Sequence, residues 1–375
     1  MTDIVARLAA PGPYSVNPYR PGKPVAELER EYGIHDAIKL ASNENPLGAS
    51  PLAIAALSNC SNHLAEYPDG SGYYLKNKLA EFYDLRHEQL VLGNGSNEVL
   101  ELIASAFLTP ATSAVMSAHC FTVYPIVSRS AGAKIIEVPA QNWGHDLSAM
   151  AAAIRADTRV VFVANPNNPT GTSVSRSALV AFLDQLPDHV VVVLDEAYIE
   201  YNDDAEFPDG LEWLPRYPNL IVLRTFSKIY GLAGLRIGFG VADPQVIDLL
   251  NRIRQPFNVN SMALIAAEAA LDDSGHLRQS QQINQQGMAS LCAGVKRLGL
   301  DYISSKANFI AVDLHQPALP VYKAMLRHGV IVRPIDNYQM PNHLRITVGL
   351  ELQNQRCLQA LEAALDELGC VSHND

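Results

Sequence analysis

Short apolar runs alternate with helix-period stretches through the first two thirds of the chain. Runs that begin at Leu90 or span 114–117, 134–138, 159–164, 190–195 and 219–224 are rich in Val, Ile and Leu and predict strands. Helical patterns fall near 50–60, 73–84, 96–107, 121–131, 146–154 and 175–186. Continuous apolar runs, unlike alternating ones, belong to strands covered on both faces. The pattern therefore predicts an α/β fold with a mostly parallel sheet flanked by helices. A helix is expected from 244 to about 254, then helical sequence over 261–299, whose polar stretch 278–286 suits a solvated helix crossing between lobes. The tail changes character. Strands at 308–313, 330–333 and 344–348 with helices at 319–327 and 354–368 predict a smaller α+β unit. Residues 11–24 hold Pro11, Pro13, Pro18, Pro21 and Pro24, which predict an extended arm, not a helix, draped over the body or a partner subunit. The expected division is 1–47 for the arm and part of a small domain, 48–274 for a large domain, and 275–375 for the rest of the small domain.

Composition narrows the function classes. A chain of 375 residues suits two lobes. The formal net charge is −11 and no run of lysine or arginine stands out, which argues against a nucleic-acid binder. Cys60, Cys120, Cys292, Cys357 and Cys370 are scattered without a Cys-x-x-Cys pair, so neither a zinc nor a disulfide framework is expected. Reduced thiols in a cytoplasmic protein fit this usage. The first ten residues lack a basic start and run into Pro11, unlike a signal peptide. No apolar run reaches the roughly 18–20 residues of a membrane span.

Candidate chemistry gathers just after the predicted strands, where open α/β sheets bind ligands. The stretch 225–239 holds one lysine, Lys228, among apolar residues and glycines. Burial disfavours an ammonium, and a neutral amine can attack a carbonyl to form a Schiff base. Ser227 before it and Arg236 eight residues later could hold a phosphate. A lysine imine beside a phosphate site is what pyridoxal 5'-phosphate requires; a strand–loop–strand with a surface lysine fits this stretch alone equally well. Asp195 ends an apolar strand, where a carboxylate is costly without a cation or donors. A protonated pyridine nitrogen, a metal or a structural ion pair would each serve, the metal least well because no ligand cluster accompanies it. Tyr198, three residues on, could reach a ring oxygen of the same cofactor. Asn168, in Asn165-Pro-Asn-Asn-Pro-Thr-Gly171, could hydrogen-bond a ring hydroxyl or sit in a plain turn. The turn Gly93-Asn-Gly95-Ser-Asn97 opens a helix whose N–H groups suit an anion, with Asn94 or Ser96 as cap. Glu98 stands where the third glycine of a dinucleotide fingerprint belongs, which argues against that ligand. Phe121 could stack on a flat ring. His119 and Cys120 point to opposite sides of an extended chain, against a nucleophilic pair. Arg333 and Arg345, in the tail strands, offer forks for carboxylate or phosphate.

Taken together, the 165–171 loop, Asp195-x-x-Tyr198 and Ser227-Lys228 followed by Arg236 resemble the fold-type I, pyridoxal-phosphate-dependent aminotransferases. Ser42-Asn-Glu-Asn-Pro-Leu-Gly48, the turn Glu66-Tyr-Pro68 and the run 225–236 narrow the resemblance to the histidinol-phosphate aminotransferases. It extends from Tyr19 to Arg345. The resemblance implies a seven-stranded sheet and a homodimer acting on small molecules without a metal. It implies Lys228 as the residue that joins the cofactor through a Schiff base and then carries a proton between Cα and C4'. Asp195 would pair with the ring nitrogen, Tyr198 and Asn168 with the ring oxygen, and Phe121 would stack on the ring. Gly95, Ser96, Asn97, Ser227 and Arg236 would hold the phosphate, with Tyr67 reaching it across the dimer. Tyr19, Asn43, Arg333 and Arg345 would bind substrate. Phe121 stands where tyrosine is frequent and Ile229 where a small residue is, which bears on substrate preference. The implied reaction is amino transfer between L-histidinol phosphate and 2-oxoglutarate. Rivals are an aromatic amino-acid aminotransferase, an amino-phosphate decarboxylase using the same cofactor, and a binding protein that kept the fold without turnover.

Overall fold

The computed structural model describes residues 4–18, 21–58, 60, 64–202, 204 and 206–369. A two-residue strand, β1 (Ile38–Lys39), precedes the strands of the main sheet: β2 (Leu90–Gly93), β3 (Ser113–Ser117), β4 (Lys134–Val138), β5 (Thr158–Ala164), β6 (Val191–Asp195), β7 (Leu220–Thr225) and β8 (Gly238–Val241). These form a seven-stranded sheet in the order β2-β8-β7-β6-β5-β3-β4. All run the same way except β8, which is antiparallel to both its neighbours. Side chains alternate across a strand, so the unbroken Val/Leu/Ile runs feed two cores at once. Val161, Val163, Val192 and Val222 pack on one face with Phe226 and Leu264. Val160, Phe162, Val193 and Ile221 pack on the other with Leu100, Ile103 and Leu250. Asp146, Ser175 and Asn260 cap the helices that follow them, each accepting the N–H three residues on.

The tail contributes β9 (Asp301–Ile303), β10 (Phe309–Asp313), β11 (Val330–Ile331), β12 (Arg333–Ile335) and β13 (Met340–Thr347). β12-β13-β10-β9 make an antiparallel sheet, while β11 pairs in parallel with β1. The single strand expected at 330–333 is thus divided between two sheets at Val332. Leu291 and Val295 of the helix Ser274–Arg297 and Leu358 and Leu361 of the helix Glu351–Glu367 cover this sheet. The helical stretch expected over 261–299 is two helices. It breaks at Asp272–Asp273, where Asp273 accepts the His276 N–H and caps the second. The 278–286 stretch is solvated on one side only: Ser280 is buried and accepts a hydrogen bond from Asn45 at 2.8 Å.

Two local expectations are corrected. Pro11–Tyr14 forms a helical turn instead of extended chain. Its prolines fall within the first turn, where the N–H they lack has no intrahelical partner. The helix Ser96–Phe107 is capped by neither Asn94 nor Ser96. Gly95 occupies the cap at φ 77°, and Glu98 reaches back to the Asn94 N–H at 2.5 Å. Among the described residues no helix is long and apolar enough to cross a membrane.

Candidate active site

A cavity of about 240 Å³ opens where β3, β5, β6 and β7 end, between the main sheet and the tail sheet. It is lined by Asn43, Ser96, Asn97, Phe121, Asn168, Asp195, Tyr198, Ser227, Lys228, Arg236, Arg333 and Arg345, which the sequence scatters over three hundred positions. β5 leads into the 165–171 loop. Asn165 is fixed there by its N–H to Asp195 O and its side chain to the Val174 backbone. Asn167 donates to His119 O and Thr170 Oγ1. These bonds hold the loop so that Asn168 meets the tail sheet, where its Oδ1 accepts from Arg345 Nη1 at 2.6 Å.

Asp195, at the end of β6, is buried. Burial raises its pKa above the usual carboxylate value. Hydrogen bonds from Tyr124 Oη (2.8 Å to Oδ2) and the Ala197 N–H (3.2 Å to Oδ1), and the charge of Lys228, only partly offset that. Tyr198 is also buried, and its Oη accepts from Asn43 Nδ2 at 2.9 Å. Burial pushes its pKa upward, so the phenol stays protonated and able to donate. Asn43 is held at φ 56°, a left-handed conformation that asparagine tolerates better than most residues, by Thr347 and Asn308. Lys228 follows β7 in the turn after Thr225. Its Nζ lies 5.6 Å from the Tyr198 ring centre and 3.4 Å from Ser42 O. Burial, then the charge of Arg345, lowers its pKa from 10.5 to about 8, against the opposing pull of Glu44. Near neutral pH a useful fraction of the amine is therefore uncharged.

The opposite end of the cavity suits an anion. The first-turn N–H groups of Ser96 and Asn97 project from the helix Ser96–Phe107, beside Ser227 and Arg236. Arg236 Nη1 lies 3.5 Å from Ser227 Oγ and 3.1 Å from Ala233 O. Glycine keeps this space open. A Cβ on Gly95 would come 2.5 Å from Arg236 Nη2, and one on Gly238 would collide with Ser96 N. Across the cavity, Arg333 on β12 is the register partner of Arg345 on β13. Directly opposed like charges destabilise a sheet. Arg345 is partly relieved by Asn168 and by Ala41 O at 2.8 Å, yet its Nε is buried without a partner among the described residues.

Of the sequence-predicted residues, Tyr67 is not brought into this cavity. It is 83% exposed and stacks on Phe257 at 4.7 Å between ring centres. Gly95 borders the site through its contact with Arg236 and does not line the cavity. Tyr19 lies outside the described residues. Phe121 lines the wall, edge-on to Tyr124 at 5.7 Å. Tyr124, Tyr338 and Glu44 line the cavity as well, and the sequence reading did not single them out. Tyr124 had a signal: it follows Phe121 by three residues at the start of a predicted helix, a spacing that shares one face.

A lysine with a depressed pKa, a buried carboxylate and an anion cradle at the strand ends of this sheet define the class: the chain belongs to the class I and II aminotransferases, whose family model matches residues 35–363. Within that class it falls among the histidinol-phosphate aminotransferases. It is 58% identical over 360 residues to histidinol-phosphate aminotransferase 2 of Pseudomonas fluorescens strain Pf0-1, covering 96% of this chain and 97% of that protein. It is 53% identical over 361 residues to histidinol-phosphate aminotransferase 1 of Nitrosococcus oceani, covering 96% and 98%. Its fold matches the crystal structure of histidinol-phosphate aminotransferase from Sinorhizobium meliloti in complex with pyridoxal-5'-phosphate, with a TM-score of 0.89, 27% identity, and 96% and 98% of the two chains covered.

Proposed function

We propose that the chain binds pyridoxal 5'-phosphate in this cavity and transfers an amino group between L-histidinol phosphate and 2-oxoglutarate. The products are 3-(imidazol-4-yl)-2-oxopropyl phosphate and L-glutamate, within L-histidine biosynthesis. The observation that carries this reading is the joint presence in one cavity of Lys228, Asp195, the Ser96 cradle and the register-paired Arg333 and Arg345. The cavity fits the cofactor. Gly95 and Gly238 leave the cradle clear for a phosphate, and Asp195 is a desolvated carboxylate that a ring N–H⁺ would satisfy.

When bound, the cofactor supplies a reactive carbonyl and a sink for the electrons left on the substrate carbon. The protein does the rest. Lys228 Nζ would hold the cofactor's carbonyl carbon through its amine, and as a free amine would take and return the proton of substrate Cα. Asp195 holds a proton on the ring nitrogen. Tyr198 Oη and Asn168 Nδ2 would donate to the ring oxygen, and Phe121 would pack against the ring. Ser96, Asn97, Ser227 and Arg236 anchor the phosphate. Arg333 and Arg345, with Asn43 and Tyr19, hold the anionic end of either substrate, because a guanidinium fork accepts phosphate and carboxylate alike. Steady-state kinetics test the substrate. The expected kcat/KM on L-histidinol phosphate exceeds that on phenylalanine or tyrosine by about a hundredfold or more. Equal or better use of tyrosine would reassign the enzyme to aromatic amino acids.

The same reading makes the enzyme a homodimer. Tyr67 and Phe257 form a stacked aromatic pair held in solvent, which suits Tyr67 reaching a partner's phosphate cradle. Tyr67→Phe is expected to leave the dimer intact in sedimentation and to weaken cofactor retention about tenfold, the value of one hydrogen bond to a charged group. A fully active monomer contradicts this.

A further inference from the structure

The anionic ligands of the proposed reaction account for the cations of the cavity. They do not account for Glu44. Among the described residues two carboxylates line the site, Asp195 and Glu44. Asp195 is buried and is engaged by Tyr124 and Ala197. Glu44 follows Asn43 in the turn that closes the cavity from the β1 side, with 46% of its side chain exposed. Lys39 Nζ donates to its Oε1 at 2.8 Å. That pins the carboxylate at the rim, and a carboxylate has a second oxygen with which to accept. Its field reaches the reacting amine: burial and then Arg345 lower the Lys228 pKa, and Glu44 opposes them more strongly than Asp195 does.

A carboxylate here repels every phosphate and carboxylate that enters. Lys39 balances its charge on one oxygen, and a ligand that brings a donor or a positive charge to the other oxygen is favoured over one that brings a carboxylate. Of the two substrates, L-histidinol phosphate does so. Its imidazole carries an N–H and, with a pKa near ~6.5, is partly cationic at neutral pH. Glutamate carries a second carboxylate in place of that ring. The anionic group common to both substrates belongs to Arg333 and Arg345, so the ring and the second carboxylate compete for the remaining space.

We propose that Glu44 is a specificity-determining residue of this site, accepting a hydrogen bond from the imidazole N–H and repelling the side-chain carboxylate of the other substrate. The proposal rests on the histidinol-phosphate reading above. It assigns discrimination to both attraction and repulsion, and it predicts that the two half-reactions respond to Glu44 with opposite sign.

The test uses holoenzyme, wild type and Glu44→Gln, in single-turnover half-reactions with L-histidinol phosphate, L-phenylalaninol phosphate and L-glutamate. Phenylalaninol phosphate keeps the amine and the phosphate but has no ring N–H. Glutamine keeps the shape and one acceptor and removes the charge. The second-order rate constant for histidinol phosphate is expected to fall about tenfold, in line with the difference between a charged and a neutral acceptor. That for phenylalaninol phosphate stays as in the wild type, and that for glutamate rises severalfold; an unchanged glutamate rate overturns the repulsive half of the proposal. Loss of the same size on all three substrates means that Glu44 only supports the local structure, and overturns the proposal. No change on any of them overturns it too. A wild-type holoenzyme that processes glutamate but not histidinol phosphate defeats the parent reading and this one with it, and is recognised without the variant.

Discussion

Lys228→Ala is expected to lower turnover by roughly 10⁴-fold or more, the upper range for loss of a positioned acid–base group. Among the described residues it is the only amine lining the cavity. The remaining cations lining it, Arg236, Arg333 and Arg345, are guanidiniums, which do not give up a proton in proteins. The phosphate cradle is untouched by the change, so the variant should still take up cofactor, reversibly and without the visible absorption of the lysine-bound form. Stability separates this loss from misfolding. The Lys228 pKa is lowered on folding from 10.5 to about 8. Between those values the unfolded chain binds more protons than the folded one, so stability rises with pH across that window and the full penalty is present below it. Alanine removes the penalty, and the melting temperature of the cofactor-free variant at pH 7 should not fall below that of the wild type. Full activity in Lys228→Ala would sink the assignment.

Asp195→Asn is expected to slow the reaction by about 10²–10³-fold, the usual size of a lost electrostatic contact in a site shielded from water. Asparagine fills the same space but has one acceptor where Tyr124 and the Ala197 N–H each use one, so the change removes the charge and one of the two hydrogen bonds. Its effect should fall on removal of the Cα proton. Single turnovers with α-deuterated L-glutamate should show a larger isotope effect in the variant than in the wild type. An unchanged rate would mean that the carboxylate does not hold the ring proton.

The central strands were legible because burial on both faces demands an unbroken run of β-branched and aliphatic residues, as in β5 and β7. β8 was not. Gly238 and Gly240 give it little strand character, and it is there because only glycine lets the backbone pass so close to Ser96 and Val99. The division at Val332 was hidden for a different reason: it depends on β1, almost three hundred residues earlier, pairing with β11. In the site, Lys228 and Asp195 were conspicuous because each is a charge in an apolar run. Glu44 sits in a polar turn where a carboxylate attracts no notice. The opposition of Arg333 and Arg345 needs the register of β12 on β13, which slips between Pro334 and Ile335 and follows no sequence rule.

The two hydrogen bonds between Asn43 and Thr347 join positions 304 apart in the chain. Asn43 in turn positions Tyr198. During synthesis the segment that bears Asn43 leaves the ribosome well before its partner. At about 5–20 residues per second the interval is about 15–60 s. Within that interval all strands of the main sheet, β2 to β8, have been made, the last ending at Val241. Tyr198 lacks this clamp until β13 emerges. The clamp thus forms only once Thr347 has been made, and a nascent chain halted before it would carry Lys228 with an unfinished site around it.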